Sequence, residues 1–84
     1  MNFIIEEKNT VEYKGEIFDR THGSPFDRGV ADSYYHRPQQ AHWYPEGTGR
    51  GTRVEPKDMS LGEMHAYFMG YEFNERFGDK KSWD

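Results

Sequence analysis

The scarcity of aliphatic side chains constrains the fold of this chain more than any other feature. Its 84 residues include seven isoleucine, leucine and valine residues, against fourteen phenylalanine, tyrosine and tryptophan residues. A domain of this length buries roughly 60% of the surface that its unfolded chain exposes, and each buried aromatic ring removes about 150–250 Å² from water. We therefore expect one small domain with a thin aromatic core, which formation of a homodimer would support.

Charge and composition argue against several classes of protein. The formal net charge is −4 and there is no cysteine, so the chain has no disulfide, no thiolate metal site and no cysteine nucleophile. No apolar run approaches the roughly 18 residues of a membrane-spanning helix, and no signal-peptide pattern is present. The sequence therefore predicts a cytoplasmic protein without a membrane partner. Because lysine and arginine do not cluster along the chain, duplex DNA is disfavoured as a partner as well.

The first 18 residues predict a β-hairpin. Residues 2–7 and 10–18 contain strand-forming side chains. Lys8 and Asn9 supply the predicted turn between them, and Gly15 a bend in the second strand. A lone hairpin is unstable in water, so this one is expected to pack on the rest of the chain.

A first helix is predicted over residues 25–36. Ser24 is a suitable N-cap and Pro25 is suited to the first helical position. The helix is expected to end before Pro38, because a proline ring disfavours helical geometry in the preceding residue. Residues 37–59, which are rich in glycine, proline and aromatic side chains, predict a long irregular loop.

A second helix is predicted over residues 60–78. Ser60 and Glu63 have the spacing of a capping box, and Gly78 is suited to the C-cap. Gly70 costs about 1 kcal/mol inside a helix, which predicts that another helix approaches closely there. The predicted fold is a single α+β domain with a hairpin over 1–18, helices over 25–36 and 60–78, a loop over 37–59 and a tail over 79–84.

Six aromatic or imidazole rings lie within eleven positions at the end of the first helix and in the loop. They are Tyr34, Tyr35, His36, His42, Trp43 and Tyr44. Rings interspersed with arginines are typical of protein interfaces and of surfaces that bind single-stranded nucleic acids, although some of these rings are also needed for the core. We expect a surplus of rings that binds a partner. The predicted binding residues are Asp32, Tyr35, Arg37, His42, Trp43 and Tyr44.

Residues suited to catalysis or metal binding form no recognised pattern. The histidines are His22, His36, His42 and His65. No two of them have the spacing that places both imidazoles on one helical face, and a metal site needs three or four converging ligands. The sequence therefore predicts that the protein is not an enzyme and has no cofactor and no metal. A small enzyme or nuclease built on Asp32, His36 and His42 is the alternative in this class.

Four segments in a fixed order resemble a known group of proteins. They are residues 28–37 (RGVADSYYHR), 42–45 (HWYP), 66–75 (AYFMGYEFNE) and 78–83 (GDKKSW). The series resembles short bacteriophage and prophage proteins, most of which have no assigned function. The resemblance implies a phage origin and a location in the host cytoplasm, and it implies no established activity.

A fainter similarity is to the ribosome modulation factor family, whose members consist of two short helices. Residues 28–31 (RGVA), 44–45 (YP) and 66–71 (AYFMGY) occupy the places of that family's motifs in order. The similarity implies a helix-loop-helix arrangement in which the helices meet at Gly29 and Gly70. Members of that family bind the ribosome and are strongly basic, whereas this chain is acidic and has an additional N-terminal hairpin.

Small size, the missing catalytic pattern and the surplus rings together predict a function in binding. We expect a non-enzymatic phage accessory protein that binds and modulates a host macromolecule, and a host protein is the favoured partner. The alternative is a module that binds RNA or single-stranded nucleic acid through the same rings.

Overall fold

The structure is a computed structural model that describes residues 9–82. Two antiparallel strands, β1 (Thr10–Tyr13) and β2 (Glu16–Asp19), form a hairpin that precedes two helices, α1 (Pro25–Tyr34) and α2 (Leu61–Phe77). The predicted α+β class, with a hairpin followed by two helices, is confirmed. Among the described residues, neither helix is long and apolar enough to cross a membrane.

The hairpin turns at a different place from the predicted one. Residues 10–18 do not form one strand, because Lys14 and Gly15 both take positive φ angles, 54° and 80°, and form the turn between β1 and β2. Two successive positive φ angles are the geometry of the favoured two-residue hairpin turn. Gly15 therefore reverses the chain where we predicted a bend. The predicted strand over residues 2–7, together with Lys8, lies outside the described residues.

The first helix, α1, begins with the predicted cap and ends before the predicted position. The Ser24 side chain accepts a hydrogen bond from the Asp27 N–H at 3.2 Å, and Pro25 opens the helix. The helix ends at Tyr34 rather than at residue 36, because His36 has a φ of 63°, which lies outside the right-handed helical region.

The second helix, α2, contains the predicted capping box. The Ser60 side chain accepts from the Glu63 N–H at 3.0 Å, and the Ser60 N–H donates to Glu63 Oε1 at 2.9 Å. At the other end Gly78 is the C-cap, and its N–H donates to the Asn74 carbonyl. Both ends of α2 are thus satisfied by residues close in sequence, which is why the sequence alone located this helix.

The two helices cross in direct backbone contact, as Gly70 and the family similarity predicted. A Cβ atom on Gly29 would lie 2.0 Å from the Tyr67 carbonyl oxygen, and one on Gly70 would lie 2.1 Å from the Phe26 carbonyl oxygen. Real Cβ atoms do not approach carbonyl oxygens so closely, so the crossing requires glycine on both helices. The crossing places the start of α1 against the middle of α2.

The core is built from aromatic rings, as the composition predicted. None of the isoleucine, leucine and valine residues within 9–82 is fully buried. Phe18 and Phe26 stack with ring centroids 5.1 Å apart, and Tyr13 meets the edge of Phe73 at 5.3 Å. These rings join the hairpin to both helices. A second core cluster contains Ala41, Met59 and Tyr67.

The loop between the helices is held at several points. Trp43 and Val54 form an isolated antiparallel bridge, and Pro56–Asp58 forms a short 3-10 helix. The Tyr44 N–H donates to the Gly23 carbonyl at 2.8 Å, which ties the loop to the segment before α1. The loop is therefore folded over the crossing of the helices, and it brings polar side chains to the end of α1.

Candidate functional site

A cavity of about 330 Å³ opens between α1 and the loop. This volume lies at the lower end of the range of about 300–1,000 Å³ for ligand pockets. We call it the arginine pocket. The charged and ring-bearing side chains that line it are Arg28, Asp32, Arg37, His42, Tyr44 and Arg53. Three guanidinium groups against one carboxylate leave an excess of two positive charges in a chain whose net charge is −4.

Asp32 is the buried anion of the arginine pocket, with 3% of its surface exposed. Its Oδ2 accepts a hydrogen bond from the Tyr67 hydroxyl at 2.6 Å, and its Oδ1 accepts from Arg37 Nη1 at 3.2 Å. Arg28 Nη2 lies 3.9 Å from the same Oδ1. A carboxylate can remain charged out of water only when it is paired and hydrogen-bonded, and Asp32 has both kinds of partner.

The end of α1 brings Arg37 to Asp32. The His36 N–H donates to the Ser33 carbonyl at 3.1 Å, and the Arg37 N–H donates to the Asp32 carbonyl at 2.8 Å. With His36 in the left-handed conformation, these two bonds form the helix ending that usually has glycine at this position. The backbone of Arg37 is therefore fixed close to Asp32, within reach of its carboxylate.

Tyr67 supports Asp32 from α2 and is completely buried. Its hydroxyl oxygen accepts from the Gln40 N–H at 2.9 Å while its proton is donated to Asp32. Burial and the hydrogen bond to Asp32 raise the pKa of Tyr67 well above its usual range, so the phenol remains a proton donor. Tyr67 belongs to the third of the four sequence segments, residues 66–75, and the sequence does not connect it with Asp32, because the two are joined only by the crossing of the helices.

His42 is buried in the wall of the arginine pocket as a neutral imidazole. Its Nδ1 lies 2.7 Å from the Gln40 carbonyl, so Nδ1 bears the proton, and its Nε2 accepts from Arg28 Nε at 3.1 Å. Burial lowers the pKa of His42, and nearby Arg53 and Arg28 lower it further, against the opposing effects of the Gln40 carbonyl and Asp32. His42 thereby acts as an acceptor that fixes the orientation of Arg28.

The Arg28 guanidinium group is held in place by several neighbouring side chains. Besides its bond to His42, its Nη1 donates to Thr48 Oγ1 at 3.2 Å, and its guanidinium lies 5.6 Å from the centre of the Tyr44 ring. Only 11% of its side chain is exposed. Arg28 is therefore a fixed positive wall of the pocket.

The side chains of Arg37 and Arg53 are less tightly held by hydrogen bonds than that of Arg28. The Arg37 side chain is half exposed, lies 4.8 Å from the centre of the Tyr35 ring and donates a hydrogen bond to Asp32. Arg53 Nε is buried and has no hydrogen-bond partner among the described residues. Glu55 Oε2 lies 3.3 Å from it, at ion-pair distance but outside hydrogen-bond geometry. These two arginines retain N–H groups that can bind a ligand.

The six predicted binding residues are distributed in three ways. Asp32, Arg37, His42 and Tyr44 come together in the arginine pocket, where Asp32 and His42 are buried wall residues rather than a presented surface. Tyr35 is exposed and lies beneath Arg37 at the rim. Trp43 does not line the pocket and packs on the core cluster of Ala41, Met59 and Tyr67.

Arg28, Arg53 and Tyr67 belong to the site and are not among the six predicted binding residues. Arg28 and Arg53 are 25 positions apart in the sequence, and the hydrogen bonds of Arg28 to His42 and Thr48 span the loop. Arg28 lies close in sequence to the six rings, and in the arginine-glycine start of the first segment only Gly29 was interpreted, as a point of helix contact.

The residues of the enzyme alternative are not assembled into one site. His36 does not line the arginine pocket, and its Nε2 lies 2.9 Å from the Lys81 carbonyl. Within residues 9–82, no three histidine, aspartate or glutamate side chains are grouped so as to hold a metal ion. Asp32 and His42 therefore share the arginine pocket, and His36 lies outside it.

Comparison of the chain with protein-family models, curated proteins and solved structures gives no match in any of the three. The function must therefore be inferred from the arginine pocket.

Proposed function

We propose that the protein is a non-enzymatic accessory protein that binds a host protein, and that the arginine pocket receives an anionic group of this partner. The observation that supports the proposal is the excess of two positive charges facing one cavity of about 330 Å³. The phage origin and the host cytoplasm, which the sequence resemblance implies, stay predictions.

The excess charge is more than the buried network needs. Asp32 is satisfied by Tyr67 and Arg37, with Arg28 close by. If the arginines served only to neutralise this carboxylate, one of them would suffice. Keeping Arg28, whose side chain is only 11% exposed, beside a buried site costs solvation free energy unless an anion compensates. An anionic ligand would supply this compensation.

The rim of the arginine pocket favours a protein as the partner. Tyr35 is exposed and Tyr44 is partly exposed, and each lies against an arginine of the pocket. Tyrosine and arginine are the residue types that contribute most to the affinity of protein interfaces. An anionic group in the pocket would fix the orientation of the partner, and the rings would supply contact area around it.

A pull-down from host lysate with matched variants tests the proposal. The pocket variant is Arg37→Gln with Arg53→Gln. The control is Arg20→Gln with Arg50→Gln, which removes the same charge from exposed residues outside the pocket. We expect the wild type and the control to retain a stoichiometric protein partner and the pocket variant to lose it. Recovery of no partner, or equal recovery with both variants, would contradict the proposal.

One observation favours the second candidate, a module for single-stranded nucleic acid. The exposed Tyr35 ring and the Arg37 guanidinium that covers it resemble the stacking platforms that bind unpaired bases. Such binding weakens steeply with salt. An electrophoretic shift at low salt with single-stranded RNA, lost at physiological salt and in an Arg37→Gln variant, would support this candidate over the protein partner.

A further inference from the structure

We infer that the arginine pocket takes a phosphate monoester, borne by a phosphorylated side chain of the partner protein. This inference rests on the proposed function and specifies the anionic group. The supporting observation is that the guanidinium groups of Arg37 and Arg53 face one cavity beside the immobilised Arg28. Arg53 Nε has no hydrogen-bond partner among the described residues.

The charge of the pocket matches a doubly charged ligand. The lining has two positive charges in excess, and a phosphate monoester has a charge of about −1.5 to −2 at pH 7. A carboxylate, with one negative charge, would leave the excess only half compensated. Glu55 does not line the pocket, and its pairing with Arg53 involves a half-exposed carboxylate. Exposed ion pairs contribute only about 0–1 kcal/mol, so Glu55 does not prevent Arg53 from binding a ligand.

The hydrogen-bond donors of the pocket also favour phosphate over carboxylate. A guanidinium group has five N–H donors. Arg37 uses one of them for Asp32, and Arg53 Nε has no hydrogen-bond partner among the described residues. The forked geometry of these donors fits phosphate oxygens in pairs. A phosphate monoester offers three terminal oxygens to two such forks, whereas a carboxylate offers two.

Three residues position the arginines in advance. Asp32 fixes one end of the Arg37 guanidinium, Tyr35 lies against its face, and His42 fixes Arg28. Asp32 also repels any anion in the cavity. Its charge is shared with Tyr67 and Arg37. Repulsion by Asp32 and attraction by the arginines both scale with the charge of the ligand, so the net positive lining favours a dianion over a monoanion.

The distribution of charge favours a protein over a nucleic acid as the source of the phosphate. Nucleic acids present a row of singly charged phosphodiesters, and proteins bind them along an extended basic groove. In this chain the lining of one cavity has an excess of two positive charges, while the whole chain has a net charge of −4. One concentrated dianion fits this distribution better than an extended polyanion does.

Matched peptides test the inference directly. Three short serine-glycine peptides that differ only at the central residue, which is phosphoserine, glutamate or serine, are each titrated into the full-length protein at constant ionic strength. Binding is followed by the backbone amide shifts of the protein. We expect saturable binding of the phosphoserine peptide at least about tenfold tighter than that of the glutamate peptide, because charge-assisted bidentate bonds are the strong ones. Inorganic phosphate should compete.

Variants separate the pocket from general charge effects. Arg53→Gln should weaken binding of the phosphoserine peptide at least about tenfold, and Arg53→Lys, which keeps the charge but not the fork, should weaken it by a smaller factor. Arg50→Gln should leave the affinity unchanged. Unchanged amide shifts of residues far from the pocket would show that the variants remain folded.

Three results would overturn the inference. They are equal or tighter binding of the glutamate peptide, no saturable binding of the phosphoserine peptide at millimolar concentration, and tighter binding of a 5′-phosphorylated oligoribonucleotide. The first two would leave the proposed protein partner intact if the pull-down still depends on the pocket, because the anionic group would then be of another kind. The third would favour the nucleic-acid candidate instead.

Discussion

Asp32 accepts hydrogen bonds from a phenol and a guanidinium while almost entirely removed from water. Each partner comes from a different part of the fold, since Tyr67 lies on α2 and Arg37 follows α1. One carboxylate thus joins the two helices and fixes one arginine of the pocket. At the scale of single residues, stability and ligand binding therefore depend on the same network.

Substituting Tyr67→Phe tests the network. The change removes one hydroxyl and leaves both Asp32 Oδ2 and the Gln40 N–H without a partner. We expect the free energy of unfolding to fall by about 1–3 kcal/mol, the cost of unsatisfied buried polar groups. Chemical denaturation measures it. Tyr71→Phe is the matched control: its hydroxyl donates to the carbonyl of the exposed Arg37, so the loss there should stay below about 1 kcal/mol.

The burial of His42 predicts that the stability of the protein depends on pH. Because burial holds its pKa in the folded protein below the ordinary value of 6.5, the unfolded chain binds a proton that the folded protein does not. Stability therefore rises with pH in this window. We expect the contribution of His42 to the free energy of unfolding to be fully present well above pH 6.5 and to decrease as the pH falls below 6.5 toward 5.

A His42→Gln variant provides the comparison for this prediction. Glutamine can still accept from Arg28 and donate to the Gln40 carbonyl, but it does not titrate. The difference in unfolding free energy between pH 7 and pH 5 should be smaller in the variant than in the wild type. An equal difference would show that His42 contributes nothing to it. Glu72 and Glu75, whose pKa values are lowered from 4.5 by bonds to Lys14 and Lys80, lose their contributions below this window.

At the scale of elements, the crossing of α1 and α2 sets the geometry of the arginine pocket. Gly29 and Gly70 allow the helix backbones to touch, which brings Tyr67 on α2 under Asp32 on α1. A wider separation of the helices would break the Tyr67–Asp32 hydrogen bond. The position of these glycines is thus a condition for the site as well as for the fold.

Substituting Gly70→Ala tests this crossing. The added Cβ would lie 2.1 Å from the Phe26 carbonyl oxygen, so the helices must separate. Overpacking of this kind typically costs about 1–3 kcal/mol and occasionally more. Thermal or denaturant unfolding measures the loss. Gly62→Ala is the control in the same helix, because its Cβ would meet only Ser60 Oγ, at 3.9 Å. The free energy of unfolding of this variant should not fall below that of the wild type. A Gly70→Ala variant whose free energy of unfolding equals that of the wild type would contradict the close crossing of the helices.

The elements show which parts of the structure are predictable from the sequence. The starts of both helices were predictable because their caps, at Ser24 and Ser60, are formed within four residues. The hairpin turn was not, because lysine occupies the first turn position in place of the asparagine or glycine that usually marks it. The assembly of the pocket was not predictable either, since the loop residues reach α1 only through the tertiary fold.

At the scale of the whole molecule, charge is distributed unevenly. The chain is acidic as a whole, yet the lining of the arginine pocket is positive by two charges. A cleft lined by one sign of charge concentrates its field and raises the local concentration of the opposite ion. The acidic exterior disfavours extended polyanions, whereas the pocket attracts a compact anion. This contrast is the basis of the proposed selectivity for a single anionic group.

Titration of the isotope-labelled protein with inorganic phosphate, at an ionic strength kept constant with chloride, tests this selectivity most directly. We predict saturable amide shifts grouped at residues around the arginine pocket, among them Arg37, Gln40 and Arg53, with a weaker affinity in Arg53→Gln and an unchanged one in Arg50→Gln. Shifts that grow linearly without saturation and spread over exposed lysine and arginine residues throughout the chain would contradict the claim that the pocket binds anions.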